Sequence, residues 1–330
     1  MRTIKTGHLQ SIGPFLEVVY QKYHRRQWLG SDPLEFVLQF QDPWDQEAVA
    51  LVAAQLAYGN VRQIRRSIQD WLSRIGAQGS PSSWVREGVW RPGASKVLDS
   101  FVHRLHRGAD LLALSRFQSL SWRKWGSLGS HLEACLRPGD RDFGAALNQV
   151  IMDWKKEWQH CGDWTEGPII SRSLQHLISS PQKGSCCKRW CMLLRWMGRR
   201  DDLDPGLWTE GSPLVKGEGI KPSQLVIPLD THVGQICKYM GLTHRKSLNW
   251  RAAVEITERL RFFDPSDPVK YDFALARLGI LDLCRKKYIP EVCSQCALFG
   301  VCQLANPKIS IRKGKMREGA KSGTKKKVTL

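Results

Sequence analysis

The chain has no apolar run approaching the roughly 18 residues that a membrane-spanning helix needs. Its opening residues, Met1-Arg-Thr-Ile-Lys-Thr-Gly-His8, lack the apolar stretch of a secretory signal. These two absences argue against membrane and export and lead us to expect a cytoplasmic, nucleoid-associated protein. Internal repeats are absent. So is the Val/Ile/Thr alternation that marks half-buried strands. Acidic residues are scarce: 31 Asp and Glu stand against 50 Lys and Arg, a net charge of +19. That excess suits a polyanionic partner. Nucleic acid is favoured over a membrane surface, because no long basic helix with an apolar face is evident.

What is present is helical periodicity. Segments 14–28, 44–57, 61–75, 95–107, 141–159, 169–179, 186–199, 231–240, 249–261 and 268–283 read as helices, with a Gly/Pro-rich insertion at 201–227. The expected fold class is all-α. Fourteen Trp are unusually many, and most should be core or groove anchors. Residues 307–330 carry seven Lys and two Arg against Glu318 alone and read as a disordered basic tail. The rest of the chain remains strongly basic without them.

Ten cysteines in a chain of this size with no export signal are expected to be reduced or metal-bound. Four of them, Cys284, Cys293, Cys296 and Cys302, fall within nineteen residues as C-x8-C-x2-C-x5-C. A tight turn can supply the C-x2-C pair, and a helix end and a short loop can bring in the others. The asymmetric spacing after a predicted helix favours an iron–sulfur cluster. Zinc is the rival, and unrelated thiols are the plain alternative.

This segment resembles the C-terminal [4Fe–4S] loop of endonuclease III and its glycosylase relatives, although the first gap is longer here. The resemblance implies a structural cluster beside a loop that touches the DNA backbone, a role for which Lys286 and Lys287 are placed. Upstream, Leu229-Asp230-Thr231-His232 reads on its own as a helix N-cap. It also looks like the aspartate motif of the helix-hairpin-helix glycosylases, which makes Asp230 a candidate catalytic carboxylate. Segments 169–179 and 186–199, joined through Gly184 and Ser185, resemble the hairpin of that superfamily. Lys188, four residues after Gly184, matches its lyase lysine, and Arg189 beside it is a candidate phosphate contact. Two departures stand out. Ser185-Cys186-Cys187 replace the hairpin's second glycine, and Lys188 and Asp230 lie 42 residues apart, a gap that archaeal oxoguanine glycosylases also widen. Within the insertion, Trp208 is either a wall of a base pocket or core. Gln55, ending the 44–57 helix, matches a glycosylase residue that fills the space left by a flipped base; a surface glutamine is the alternative.

Over residues 14–302 the chain also resembles an uncharacterised bacterial family related to these glycosylases. The marks are Ala57-Tyr58-Gly59-Asn60, Cys187-Lys188-Arg189, Leu194-Arg195-Trp196-Met197 and the stretch from Phe263 to Asp272. The resemblance implies a two-lobed, all-α helix-hairpin-helix glycosylase-like fold with a C-terminal iron–sulfur loop. One lobe would comprise residues 1–40 and 228–306, the other 41–227. It implies a monomeric DNA-repair glycosylase, with or without abasic-site lyase activity, acting on a damaged base in double-stranded DNA, an oxidised purine being the first substrate to test. The rival readings are a non-catalytic iron–sulfur nucleic-acid-binding protein of the same fold and an unrelated metal-dependent RNA-processing enzyme.

Overall fold

The computed structural model describes residues 6–160 and 170–307; the tail after 307 lies outside them. The first half of the chain forms α1 (Thr6–Tyr23), α2 (Leu34–Val37), α3 (Pro43–Leu56), α4 (Val61–Gly76), α5 (Pro81–Arg86), α6 (Ala94–Val97), α7 (Gly108–Trp125), α8 (Leu128–Cys135) and α9 (Gly144–His160). The second half forms α10 (Arg172–Leu177), α11 (Lys188–Gly198), α12 (Thr231–Tyr239), α13 (Trp250–Leu260), α14 (Asp272–Ile280) and α15 (Pro290–Cys293). Between α6 and α7 two short strands pair antiparallel, β1 (Val102–His103) and β2 (His106–Arg107). The described residues are thus mostly helical, as the periodicity predicts.

Helix α4 shows why. Asn60 caps it by accepting from the Arg62 N–H, and Ile64, Ile68, Trp71 and Ile75 repeat at helical spacing and are buried. Helix α3 is different. Asp42 caps it and Pro43 starts it, but residues from Glu47 to Leu56 are buried on every side. It is the central rod, with α2, α4, α5, α7 and α11 packed around it. Elsewhere α14 packs on both α1 and α12, bringing the two ends of the described chain together.

One buried acid organises the packing around α3. The Glu47 carboxylate is wholly buried and accepts from the indole N–H of Trp208 at 2.6 Å and from that of Trp122. It also accepts from the N–H groups of Leu128 and Gly129 at 3.1 and 3.0 Å, the first turn of α8. Burial pushes its carboxyl up, while these four donors pull the other way. Trp208 is therefore core, not the wall of a base pocket. Trp71, Trp84, Trp154, Trp190 and Trp196 are fully buried as well.

Several boundaries differ from the sequence expectation. Helix α1 begins well before Pro14 and runs through it, and the chain after Tyr23 enters a 3-10 turn, Arg26–Ser31. The helix expected at 95–107 is only α6 followed by the strand pair, because Ser100 and Arg104 take left-handed backbone (φ 61° and 54°) that no helix accommodates. Helices α7 and α8 lacked a marked pattern. The buried side of α7 includes Ser115, Gln118, Ser119 and Ser121, which blurs the apolar stripe. The last long helix stops at Ile280, so Cys284 lies in the turn beyond it and does not end a helix.

Replacing Glu47 by Gln keeps the shape but turns an amide N–H2 toward buried donors. We expect a loss of at least about 3 kcal/mol in urea unfolding, with the indole environment of Trp122 and Trp208 altered in fluorescence. An unchanged midpoint would show that the four donors do not depend on the carboxylate.

Candidate functional site

The C-terminal loop begins where α14 ends. Asp282 and Lys286 bend the chain through left-handed backbone (φ 56° and 60°), and the Cys284 N–H donates to the Leu278 carbonyl at 2.7 Å. Pro290 starts α15, whose last residue is Cys293, and the turn after it carries Cys296. All four sulfur-bearing residues, Cys284, Cys293, Cys296 and Cys302, line one small cavity, walled by Leu283, Ile289, Val292, Phe299 and Leu304. Main-chain N–H groups point at three of the sulfurs. Ile289 donates to Cys293 Sγ at 3.4 Å, Leu298 to Cys296, and Leu304 and Ala305 to Cys302. Burial pushes the Cys296 and Cys302 thiols up, and the neighbouring sulfurs add to it. A bound cation reverses that balance by taking the thiols as thiolates. No three of the four sulfurs come within 4.8 Å of one another. A single zinc ion with bonds near 2.3 Å would draw them to about 3.8 Å. The four thiols and the N–H groups aimed at them suit a thiolate-bound group. Lys286 and Lys287 stand exposed beside it.

The hairpin is α10, a 3-10 turn Pro181–Lys183, Gly184 and α11. Gly184 is exposed in left-handed backbone (φ 78°), and the Ser185 hydroxyl accepts from the Cys187 N–H at 3.1 Å. Cys187, also left-handed (φ 49°), precedes α11 without giving it a side-chain cap, so the first N–H groups of α11 lack a side-chain partner there. Lys188 is the first residue of that helix, half-buried, and its ammonium donates to the Ala57 carbonyl at the end of α3, 3.0 Å away.

Asp230 caps α12 by accepting from the His232 and Val233 N–H groups at 2.8 and 2.9 Å. Both bonds fall on Oδ1. Among the described residues no ion pair joins Asp230 to Lys188. They are linked through the framework instead. Asp230 lies close enough to Asp272 to raise its carboxyl, and Asp272 binds Arg195 of α11 at 2.7 Å. Lys188 and Arg195 share a face of α11, two turns or about 10 Å apart.

Two expected DNA contacts are corrected. Arg189 is buried, with one guanidinium nitrogen on the Gln55 carbonyl at 3.0 Å and another on the His176 carbonyl. Its cationic form is disfavoured by burial, which pushes it down to about 10. It clamps α11 to α3 and α10 and does not face a phosphate. Gln55 is wholly buried, and neither atom of its side-chain amide meets a hydrogen-bond partner. It is neither a surface glutamine nor a finger into DNA.

Around these residues the structure assembles a group that sequence reasoning missed. The half-buried Tyr58 ring meets the imidazoles of His103, His106 and His176 edge-on at 4.9, 5.5 and 5.3 Å. The Arg104 and Arg189 guanidinium groups lie 5.6 and 5.3 Å from its centre. His103 binds the Ser67 hydroxyl at 2.8 Å and is held down by burial. His176, although exposed, is pushed down to about 4 by partial desolvation, with the neighbouring Arg189 and His106 adding to it. The signal was present: Tyr58, His103 and His106 flank short turns. Only the left-handed residues Ser100, before β1, and Arg104, between β1 and β2, bring them together.

A helical protein whose last described loop gathers four thiols, and whose hairpin starts a buried helix with a lysine, is the class this geometry defines. Residues 32–281 match the family described as protein of unknown function (DUF2400), and the chain belongs to that family. Neither the curated proteins nor the solved structures contain a match.

Because the folded-state value of His176 lies below its ordinary 6.5, the unfolded chain takes the proton first. The stability that neutral His176 contributes is therefore whole above about pH 6.5 and lost as pH falls toward 4. Thermal melts of His176→Gln and the parent protein should diverge in the variant's favour between pH 7.5 and 5. A difference that stays constant with pH would contradict this.

Proposed function

We propose that this protein is a DNA-repair glycosylase of the helix-hairpin-helix kind, acting on a damaged base in double-stranded DNA. The observation that carries the reading is Lys188: a half-buried amine opening a helix that has no side-chain cap, at the exposed turn of a hairpin. An uncapped helix start favours a phosphate. The turn at Gly184 and Ser185 and the exposed Lys286 and Lys287 give a DNA backbone further contacts. The net charge of +19 suits that partner.

With the target nucleotide turned out of the stack, the neutral amine of Lys188 attacks C1′ of the deoxyribose. The bond from C1′ to the base breaks, and the base leaves with the bonding electrons. Asp230, whose Oδ2 is not used in capping, takes the proton that the amine releases. Ring opening then gives a Schiff base on the lysine and sets the strand up for lyase chemistry. If water attacks in place of the amine, the same arrangement yields a glycosylase without lyase activity. An oxidised purine is the first substrate to test.

Cys284, Cys293, Cys296 and Cys302 would hold a [4Fe–4S] cluster, which would serve to pin the loop in place. Zinc suits the same ligand type and is the alternative occupant.

A second reading, a non-catalytic cluster-bearing nucleic-acid binder of the same fold, draws on one observation. The Lys188 ammonium is committed to the Ala57 carbonyl, and no ion pair brings Asp230 to it.

Borohydride trapping on duplexes carrying an abasic site or an oxidised purine separates the two readings. A covalent adduct that disappears in Lys188→Ala is expected. Absence of both adduct and base release across a panel of damaged bases would leave only the binder. Metal content is independently testable: we expect a brown protein with about four iron and four acid-labile sulfide per chain, both lost in Cys293→Ser. A colourless protein with one zinc would refute the cluster.

A further inference from the structure

A second constellation of ligand-type side chains uses none of the residues of the four-cysteine loop or of the hairpin. His131 and Cys135 are four residues apart on α8, hence on one face, and Asp153 faces them from α9. One ligand atom from each lies within 4.8 Å of the other two. His131 Nε2 and Asp153 Oδ2 are 3.1 Å apart, close to the 3.3 Å or so that separates two ligands on a tetrahedral ion with bonds near 2.0 Å. His131 is buried, while Cys135 and Asp153 are half-buried, so the cluster opens to solvent on one side.

The supporting contacts fix each ligand. His131 Nδ1 is 2.9 Å from the Ser121 hydroxyl, which also accepts from the Trp154 indole at 2.7 Å. An Nδ1–H donated to that oxygen would leave Nε2 for a cation; without a cation, Nε2–H donates to Asp153. The Trp125 ring stacks on the imidazole, 5.1 Å between centres and 9° from parallel. Asp153 Oδ1 accepts from the Gln149 amide at 2.8 Å, leaving Oδ2 for the centre. Helix α8 itself is anchored at its start by Glu47, and its Glu133 accepts from the main-chain N–H groups of Lys216, Gly217 and Gly219. Metal-binding imidazoles and carboxylates are oriented in this way.

The same three residue types also form nucleophilic relays, but the geometry is wrong for one. In a relay the acid and the nucleophile sit on opposite ring nitrogens. Here the nitrogen opposite Asp153 is taken by Ser121 and not by the thiol, and the Ser121 hydroxyl is buried and already accepts from the Trp154 indole.

We propose that His131, Cys135 and Asp153 bind a divalent transition-metal ion of the zinc class, with one N, one S and one O ligand and a fourth position open to water. An imidazole, a thiol and a carboxylate of two rigid helices converge on one point, and a cation at that point satisfies all three. Three protein ligands with an open position is the arrangement of reactive zinc sites, not structural ones. The proposal does not depend on the glycosylase reading or on the four-cysteine loop.

Cobalt(II) is the probe, added to the full-length protein as isolated, with the C-terminal loop intact in every sample. The parent protein should take up one Co2+ that gives a thiolate-to-cobalt charge-transfer band and visible bands of tetrahedral intensity. Cys135→Ser should lose that charge-transfer band, and Asp153→Asn should bind at least tenfold more weakly. Ser121→Ala, which touches no metal, should weaken binding about 10- to 100-fold by freeing the imidazole. A helix-to-helix hydrogen bond without a metal would produce none of these changes. If the cobalt spectrum is absent, or is the same in the parent protein, Cys135→Ser and Asp153→Asn, the site does not exist.

Discussion

The buried charge network at the far end of α11 is the constraint on which the candidate sites depend. Arg195 binds Asp272 at 2.7 Å and Asp204 at 3.3 Å, while Arg199 binds Asp204 at 3.0 Å, Asp267 at 2.6 Å and also Asp201. His24 of the segment after α1 approaches Asp201 at 2.6 Å. Four carboxylates face two guanidinium groups. The arginines are consequently held ionised despite burial, and Asp201 is held low by His24 and Arg199 against its own desolvation. At Asp272 burial prevails and pushes the carboxyl up to about 6, because Arg195 is shared and Asp230 and Asp32 add repulsion. Such a network adds little net stability over an apolar core, but removing one member strands the others at about 3–5 kcal/mol. It ties α11 to α14 through the buried Arg195–Asp272 pair.

That pairing bears on where Lys188 sits. Lys188 opens α11 and Arg195 follows two turns later on the same face, so the seat of Arg195 on Asp272 determines where the amine points. Arg189 then holds the start of the helix against α3 and α10. Arginine buried in this way is a positioning device, and its planar fork suits two carbonyls better than one phosphate.

How much of this could be read in the residues depends on how local each feature is. Helices α4 and α13 came close to their predicted limits because cap, apolar stripe and polar face agree within one segment. The gathering of Cys284, Cys293, Cys296 and Cys302 was legible for the same reason, all four lying within nineteen residues. Asp230 was legible as a cap. By contrast, the Tyr58–His103–His106–His176 group depends on two left-handed residues and on a helix 70 residues further along. The metal-type cluster needs α8 and α9 packed side by side, and periodicity identified only the second of those helices. Gln55 and Arg189 were misplaced because a polar side chain near a helix end is usually exposed. Here α3 and α11 bury both ends in each other.

The loop of four thiols is best understood as the outer anchor of this same scaffold. It leaves α14 just after Arg277, which is itself buried against Asp32 at 2.8 Å and the Trp28 carbonyl at 3.1 Å. Further contacts return it to the helices: the Gln303 N–H donates to the Tyr239 carbonyl at 2.8 Å, and the Tyr239 hydroxyl donates to the Lys286 carbonyl at 2.9 Å. Gly300 lies so close to the Phe15 ring of α1 that a Cβ there would stand 2.6 Å from it. A group held by the four sulfurs would thus brace α1, α12 and α14 together, and through Asp272 it would steady α11. Lys188 lies on the opposite side of that chain of contacts, against Ala57 at the end of α3. The sulfurs therefore make no direct contact with Lys188, and any influence they exert on it passes through helix placement.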